Sequence, residues 1–481
     1  MAQGTTRALN TRLCWLALAI ILVVAALLRL HAISASSLWL DEATTWAEAR
    51  RDFWPMIAAM TKDVHPPLHN SILHLVILAF GDTESALRLP SALLGVAGVA
   101  AIFWAGSLFD GRATGFLAAA LLCLSGFHIH YSQEARPYAL LALSATLFAG
   151  ATLRALETDR RRWHAASFAA ALLLLYSHNY GLLLWLSLAI AVFVSARAWR
   201  DPGAGILTRW AAWQAMAALL YLPWAVIVAG QYQRNVADGF WIPRPNLSFL
   251  RELIEDNASG GFMALALAAG AILALAPPSR LLDGVAGVRD TAGSHAATRR
   301  LLLVAWLLGP LLMGLIASLI SQPILVDRYV ICSLPAWLIL AAAGFNRLQR
   351  RWGKWVLAAV VAGAIANLPF YHRVTHEDAR AIAAAYVAQA KAEECLYVFR
   401  PYSAAAVEYY LRNRPSCFQR AKAVTDITPW TLASPRAWLF LGYLPNKERQ
   451  ALAESLQAHG WQARAVIFNP SVSLLALEPA K

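Results

Sequence analysis

Apolar stretches recur along the chain, centred in residues 13–33, 84–109, 114–128, 137–153, 164–176, 181–196, 210–229, 261–277, 301–320, 329–345 and 355–370. Most approach the roughly 20 residues with which a helix crosses a bilayer. The pattern predicts a polytopic α-helical membrane protein with about eleven transmembrane helices. The first run, Leu13 to Ile33, is longer than the apolar core of a signal peptide and reads as a retained anchor. After residue 370 the periodicity changes. Helix is expected at 377–390, strand at 395–399, helix at 403–411, strand at 437–441, helix at 447–459 and strand at 465–475. This alternation predicts a small C-terminal α/β domain with βαβ units. The chain therefore divides into a transmembrane domain, residues 1–370, whose outer loop 34–83 holds juxtamembrane helices, and an α/β domain, residues 371–481.

Composition sharpens this reading. Of the 481 residues 59% are apolar and 14% charged, against roughly 45–50% and 25% for an ordinary soluble domain. A soluble enzyme is excluded. The net charge of +13 is what basic cytoplasmic loops bring to such a protein, so no nucleic-acid partner is expected. Lys and Arg number 18 in segments 1–12, 110–113, 154–163, 197–209, 278–300 and 346–354, against 8 in 34–68, 129–136, 177–180, 230–260 and 321–328. The first set is therefore assigned to the cytoplasm. An odd number of spans then places the α/β domain outside, in the periplasm if the membrane is a bacterial inner membrane. The five cysteines include no CxxC pair, so neither a zinc module nor a thioredoxin-like site is indicated. Cys395 and Cys417 flank one predicted βαβ unit; a disulfide and two buried thiols both fit.

Ionisable groups near membrane depth are costly and mark function or pairing. Here they gather on the outer side. Asp41 and Glu42 follow the first span directly, behind Trp39. His65 precedes two prolines that stiffen its turn. The next outer loop holds Tyr131, Glu134 and Arg136, of which Glu134 and Arg136 are also suited to a plain salt bridge. His178 and Arg328 stand at the outer ends of later spans. A carboxylate can take the proton of an acceptor hydroxyl, while Arg and His can stabilise charge gathering on a phosphate leaving group. One base and a cationic clamp suffice for sugar transfer from a phosphodiester, because the departing phosphate needs no strong acid.

The segments Leu40-Asp41-Glu42, His65-Pro66-Pro67-Leu68, Ala86 to Leu93, Tyr131 to Leu140, Tyr176-Ser177-His178 and Asp327-Arg328-Tyr329 carry a resemblance in order and spacing. In them the chain resembles the polyprenyl-phosphate-sugar-dependent membrane glycosyltransferases of the GT-C class. The branch is glycosyltransferase family 39-like, with the protein O-mannosyltransferases and the aminoarabinose transferases of lipid A. The resemblance implies that Asp41 and Glu134 are catalytic, with Asp41 the base. It implies that His65, Arg136 and Arg328 bind the lipid phosphate of the donor, with Glu42, His178 and Tyr131 supporting them. His65 stands where some relatives have a Lys. The implied donor is a sugar on a polyprenyl phosphate and the implied acceptor an envelope lipid, glycan or protein, with inversion at the anomeric carbon. No cofactor is expected, and no metal, although Asp41, Glu42 and His65 are of ligand type. The rival reading is a transporter or flippase for a lipid-linked sugar, since intramembrane ionisable residues also line substrate paths.

Overall fold

The computed structural model describes residues 2–196, 204–238, 242–276, 293–348, 350–371, 377–391, 393–399, 401–413, 417–427, 436–442, 444, 446–468 and 472–480. Part of the inner loop expected at 278–300 lies outside the described residues. In chain order the helices are α1 (Ala2–Leu30), α2 (Leu40–Ala49), α3 (Phe53–Met60), α4 (Leu68–Phe80), α5 (Glu84–Asp110), α6 (Arg112–Leu124), α7 (Gly126–Ser132), α8 (Tyr138–Thr158), α9 (Arg161–Ser177) and α10 (Tyr180–Ala196). They continue as α11 (Ala204–Asp238), α12 (Leu247–Ala258), α13 (Gly261–Leu275), α14 (Gly293–Ile320), α15 (Leu334–Arg347), α16 (Arg350–Tyr371), α17 (Ala379–Gln389), α18 (Ala404–Leu411) and α19 (Asn446–Ala458). The chain divides into two compact units.

The first unit comprises residues 1–31, 52–79 and 88–373. Every apolar stretch of the sequence forms a helix in it. Among the described residues six spans are long and apolar enough to cross a membrane by themselves, and the bent pairs α6–α7 and α12–α13 bring the number to eight. The expected count of about eleven is higher because α9, α10 and α16 were included. Both α9 and α10 have 17 residues, which at 1.5 Å per residue sit at the short limit for a span. Prolines 90, 223, 310 and 369 lie inside helices, as membrane helices tolerate. Where α13 and α15 pack, a Cβ on Gly344 would overlap the carbonyl of Gly270, the close backbone approach that small residues permit between spans.

The second unit comprises residues 32–51, 80–87 and 374–481. It holds the five strands β1 (Cys395–Phe399), β2 (Cys417–Ala421), β3 (Ala437–Gly442), β4 (Trp461–Phe468) and β5 (Val472–Pro479), in one sheet of order β2-β1-β3-β5-β4. β1 runs parallel to β2 and β3, while β5 is antiparallel to β3 and β4. The βαβ expectation therefore holds for the first half of the sheet. The single strand expected at 465–475 is two strands, and β2 was not expected. Side chains alternate across the sheet. Leu396, Val398, Trp438, Phe440 and Leu474 pack with Ile382, Tyr386 and Val407, while Tyr397, Leu439, Leu441 and Leu477 pack with Leu452 and Leu456. Cys395 and Cys417 are register partners on neighbouring strands and form a disulfide.

Candidate functional site

The motif around residue 131 owes its shape to a break. Ser125 ends α6 and caps α7, its Oγ accepting from the amide of His128 at 3.3 Å, and the two helices meet at 63°. A broken helix leaves carbonyls without amide partners. The fully buried Arg29 of α1 supplies them: its Nη2 donates to Leu122 O at 3.0 Å and its Nη1 to Cys123 O at 3.3 Å. The same Nη2 lies 2.8 Å from His128 Nδ1. Gln133 donates to the carbonyls of His31 and Arg29 at 2.8 and 3.2 Å. α7 and the residues after it are thereby anchored to the C-terminal end of α1.

This anchored segment presents Glu134 and Arg136, both buried. Glu134 Oε1 lies 3.2 Å from His130 Nε2, one helical turn back. Arg136 Nη2 lies 3.2 Å from His65 Nε2. On its other side His65 Nδ1 lies 3.4 Å from Asp63 Oδ2. Burial pushes the Asp63 carboxyl up, but the His65 hydrogen bond, the charges of His65 and Arg136 and the Val64 amide outweigh it, and its pKa lies below the ordinary value. The His65 loop is tied down from the other side, since Asn179 Nδ2 donates to Val64 O at 2.8 Å.

Asn179 follows His178, whose ring lies 5.2 Å from that of His65, edge to face. His178 Nδ1 accepts from the amide of Tyr180 at 3.1 Å, so the neutral ring carries its proton on Nε2. That Nε2 is buried and has no hydrogen-bond partner among the described residues. Burial, and then the charges of His65, Arg136 and Arg328, hold the His178 pKa well below the usual histidine value. Tyr329 lies 4.6 Å and Tyr138 6.1 Å from the same imidazole, ring to ring. Tyr131 donates to Asp327 Oδ2 at 3.3 Å. His178 is thus an orphan N–H donor within the field of two guanidinium groups and a second imidazole, with a tyrosine wall.

Of the residues predicted from sequence, His65, Arg136, His178 and Arg328 come together here, with Tyr131 and Glu134 on the neighbouring segment. Asp41 and Glu42 belong to the second unit, on the first turn of α2; Glu42 is fully buried and Asp41 partly. Asp63, His130, Tyr138, Asp327 and Tyr329 carried no individual role in the sequence. Four of them stand inside or beside the quoted motifs, and Asp63, two residues before His65, was readable as its partner. Among the described residues no three His, Cys, Asp or Glu side chains come together as a metal's ligand set would.

Fold and site together define a multi-pass membrane protein with the GT-C fold and a small C-terminal sheet domain. Residues 64–227, about a third of the chain, match the family model described as dolichyl-phosphate-mannose-protein mannosyltransferase. Among solved structures the chain is similar to ArnT from Cupriavidus metallidurans in the apo state, with a TM-score of 0.66 and 17% identity over 97% of this chain and 98% of that one. It is similar to the same protein bound to undecaprenyl phosphate, with a TM-score of 0.63 and 16% identity over 95% and 97% of the two chains. An Archaeoglobus fulgidus oligosaccharyltransferase in complex with Zn and sulfate follows at 0.58 and 12%, over 96% of this chain and 73% of that one. No curated protein sequence matches. The resemblance read from the motifs and the predicted fold class are borne out.

Proposed function

We propose that the chain is a membrane glycosyltransferase that moves a sugar from a polyprenyl phosphate to a hydroxyl or amine acceptor at the outer face of a bacterial inner membrane. The observation that carries this is the unpartnered Nε2–H of His178 within the field of Arg136, Arg328 and His65, a donor set complementary to a phosphate and to no cation. The carrier phosphate of the donor occupies it. As the acceptor oxygen or nitrogen attacks the anomeric carbon, Asp41 takes its proton. The bond from that carbon to the phosphate oxygen breaks, and the electron pair leaves with the phosphate, where the guanidinium groups stabilise it. Attack opposite the leaving group inverts the centre. His65, engaged by Asp63 and Arg136, orients the guanidinium, while Glu134, held by His130, positions acceptor or base. Neither step calls on a metal. The disulfide of the sheet domain suits an oxidising compartment and supports its placement in the periplasm, with the N-terminus cytoplasmic.

The test supplies membranes containing the protein with a panel of radiolabelled hexoses and pentoses on undecaprenyl phosphate. Label passing to a lipid, glycan or protein is expected. Asp41→Asn is expected to accumulate normally and transfer nothing. Label that merely changes sides of the membrane would establish a flippase, and wild-type turnover in Asp41→Asn would remove that residue from the mechanism.

A further inference from the structure

The helix that carries Asp41 begins without a cap of its own. At the N-cap position stands Trp39, in extended backbone with φ −91° and ψ 176° and no side-chain capping bond. Its indole has no oxygen to offer an amide. The first amide of α2, that of Leu40, donates instead to Glu377 Oε1 at 3.0 Å, from 337 residues further along the chain. Glu377 is buried. The approach to the helix is held by the same unit. Ser37 Oγ donates to Glu377 O at 2.9 Å and accepts from the amide of Ala379 at 3.2 Å. The amide of Leu38 donates to the hydroxyl of Tyr410 at 2.7 Å, and that hydroxyl donates to Glu84.

We infer that Glu377 is a positioning residue, a cap supplied from the sheet domain that sets where α2 starts and so where Asp41, its second residue, is held. This rests on the proposed role of Asp41 as base. A carboxylate oxygen at a helix start satisfies an amide that would otherwise be orphaned, and it lies where the helix dipole favours negative charge. A ten-residue helix has little cooperative reserve to keep its first turn formed without that partner. Asp41 and Glu42 also sit in that turn, so their placement depends on the bond to the Leu40 amide. The first turn of α2 is then set by a side chain of the sheet domain.

The purified full-length protein is compared with Glu377→Ala, Glu377→Gln and Asp41→Asn by three readouts. These are amide hydrogen exchange over residues 40–43, transfer from the labelled undecaprenyl-phosphate sugar that the wild type uses, and binding of undecaprenyl phosphate. In Glu377→Ala the amides exchange faster and kcat falls about 10-fold or more, with undecaprenyl phosphate binding unchanged. Glu377→Gln, which keeps an acceptor oxygen, stays within about 3-fold of wild type. Unchanged exchange and kcat in Glu377→Ala would overturn the inference, as would equal losses in Ala and Gln. If Glu377→Ala does not accumulate, Glu377→Asp, which withdraws the acceptor by one methylene, is read in the same way. Activity in Asp41→Asn instead defeats the proposed base, and hydrogen exchange still decides whether Glu377 caps the helix.

Discussion

His65 Nε2 lies 3.2 Å from a terminal nitrogen of Arg136 and its Nδ1 3.4 Å from Asp63, so the imidazole is a spacer between a carboxylate and a guanidinium. The resemblance read from the sequence puts His65 where some relatives have a Lys. In the structure that ring stands between Asp63 and Arg136 and ties the guanidinium to a carboxylate.

Arg136→Ala is therefore expected to weaken binding of undecaprenyl phosphate by about 10–100-fold, the scale of a charge-assisted hydrogen bond. Arg136→Lys should fall between, because an ammonium lacks the planar fork. Isothermal titration of the detergent-solubilised protein measures it, and wild-type affinity in the Ala variant would exclude Arg136 from the phosphate site.

The depressed pKa of His178 makes stability depend on pH. The unfolded chain takes up a proton as pH falls through the ordinary value of 6.5, while the folded ring stays neutral. Stability from this group is thus present above that pH and is lost progressively below it. Asp63 acts in the same direction at lower pH, since its carboxyl lies below its ordinary 3.8 when folded. Thermal unfolding followed from pH 7 to pH 5 should show the midpoint falling, with a shallower slope in His178→Gln. Parallel slopes in the two proteins would mean that His178 titrates alike folded and unfolded.

Arg29 joins α1 to the break between α6 and α7 through carbonyls that have lost their helical partners. Arg29→Ala should lower stability by about 2–3 kcal/mol, the cost of leaving buried groups unmet. Gln133→Ala, which frees carbonyls at the exposed end of α1, should cost about 1 kcal/mol. Denaturation in mild detergent compares them, and a larger loss in Gln133→Ala would reverse this assignment.

Transfer activity is expected to survive incubation with a chelator. In the first unit Glu134 pairs with His130 and Asp63 with His65, and among the described residues no three such side chains gather as a ligand set. Activity lost to EDTA and restored by Mn²⁺ or Mg²⁺ would show a requirement that these residues do not account for.

Hydropathy alone located the long apolar helices, because in lipid a chain must satisfy its backbone within each segment and so writes its spans as local runs. Motif order singled out Glu134, Arg136, His178 and Arg328 for the same local reason, since each stands near the end of such a run, and His65 by the two prolines that follow it. The break at Ser125 and the pairing of His65 with Arg136, 71 residues apart, had no local signature. The division of 465–475 into β4 and β5 follows from their antiparallel pairing with each other and from the pairing of β5 with β3. The cap on α2 was the least legible, because Trp39 is no capping residue and Glu377 reads as one more acid in a tail. Such bonds join residues hundreds of positions apart, and only packing in three dimensions selects them.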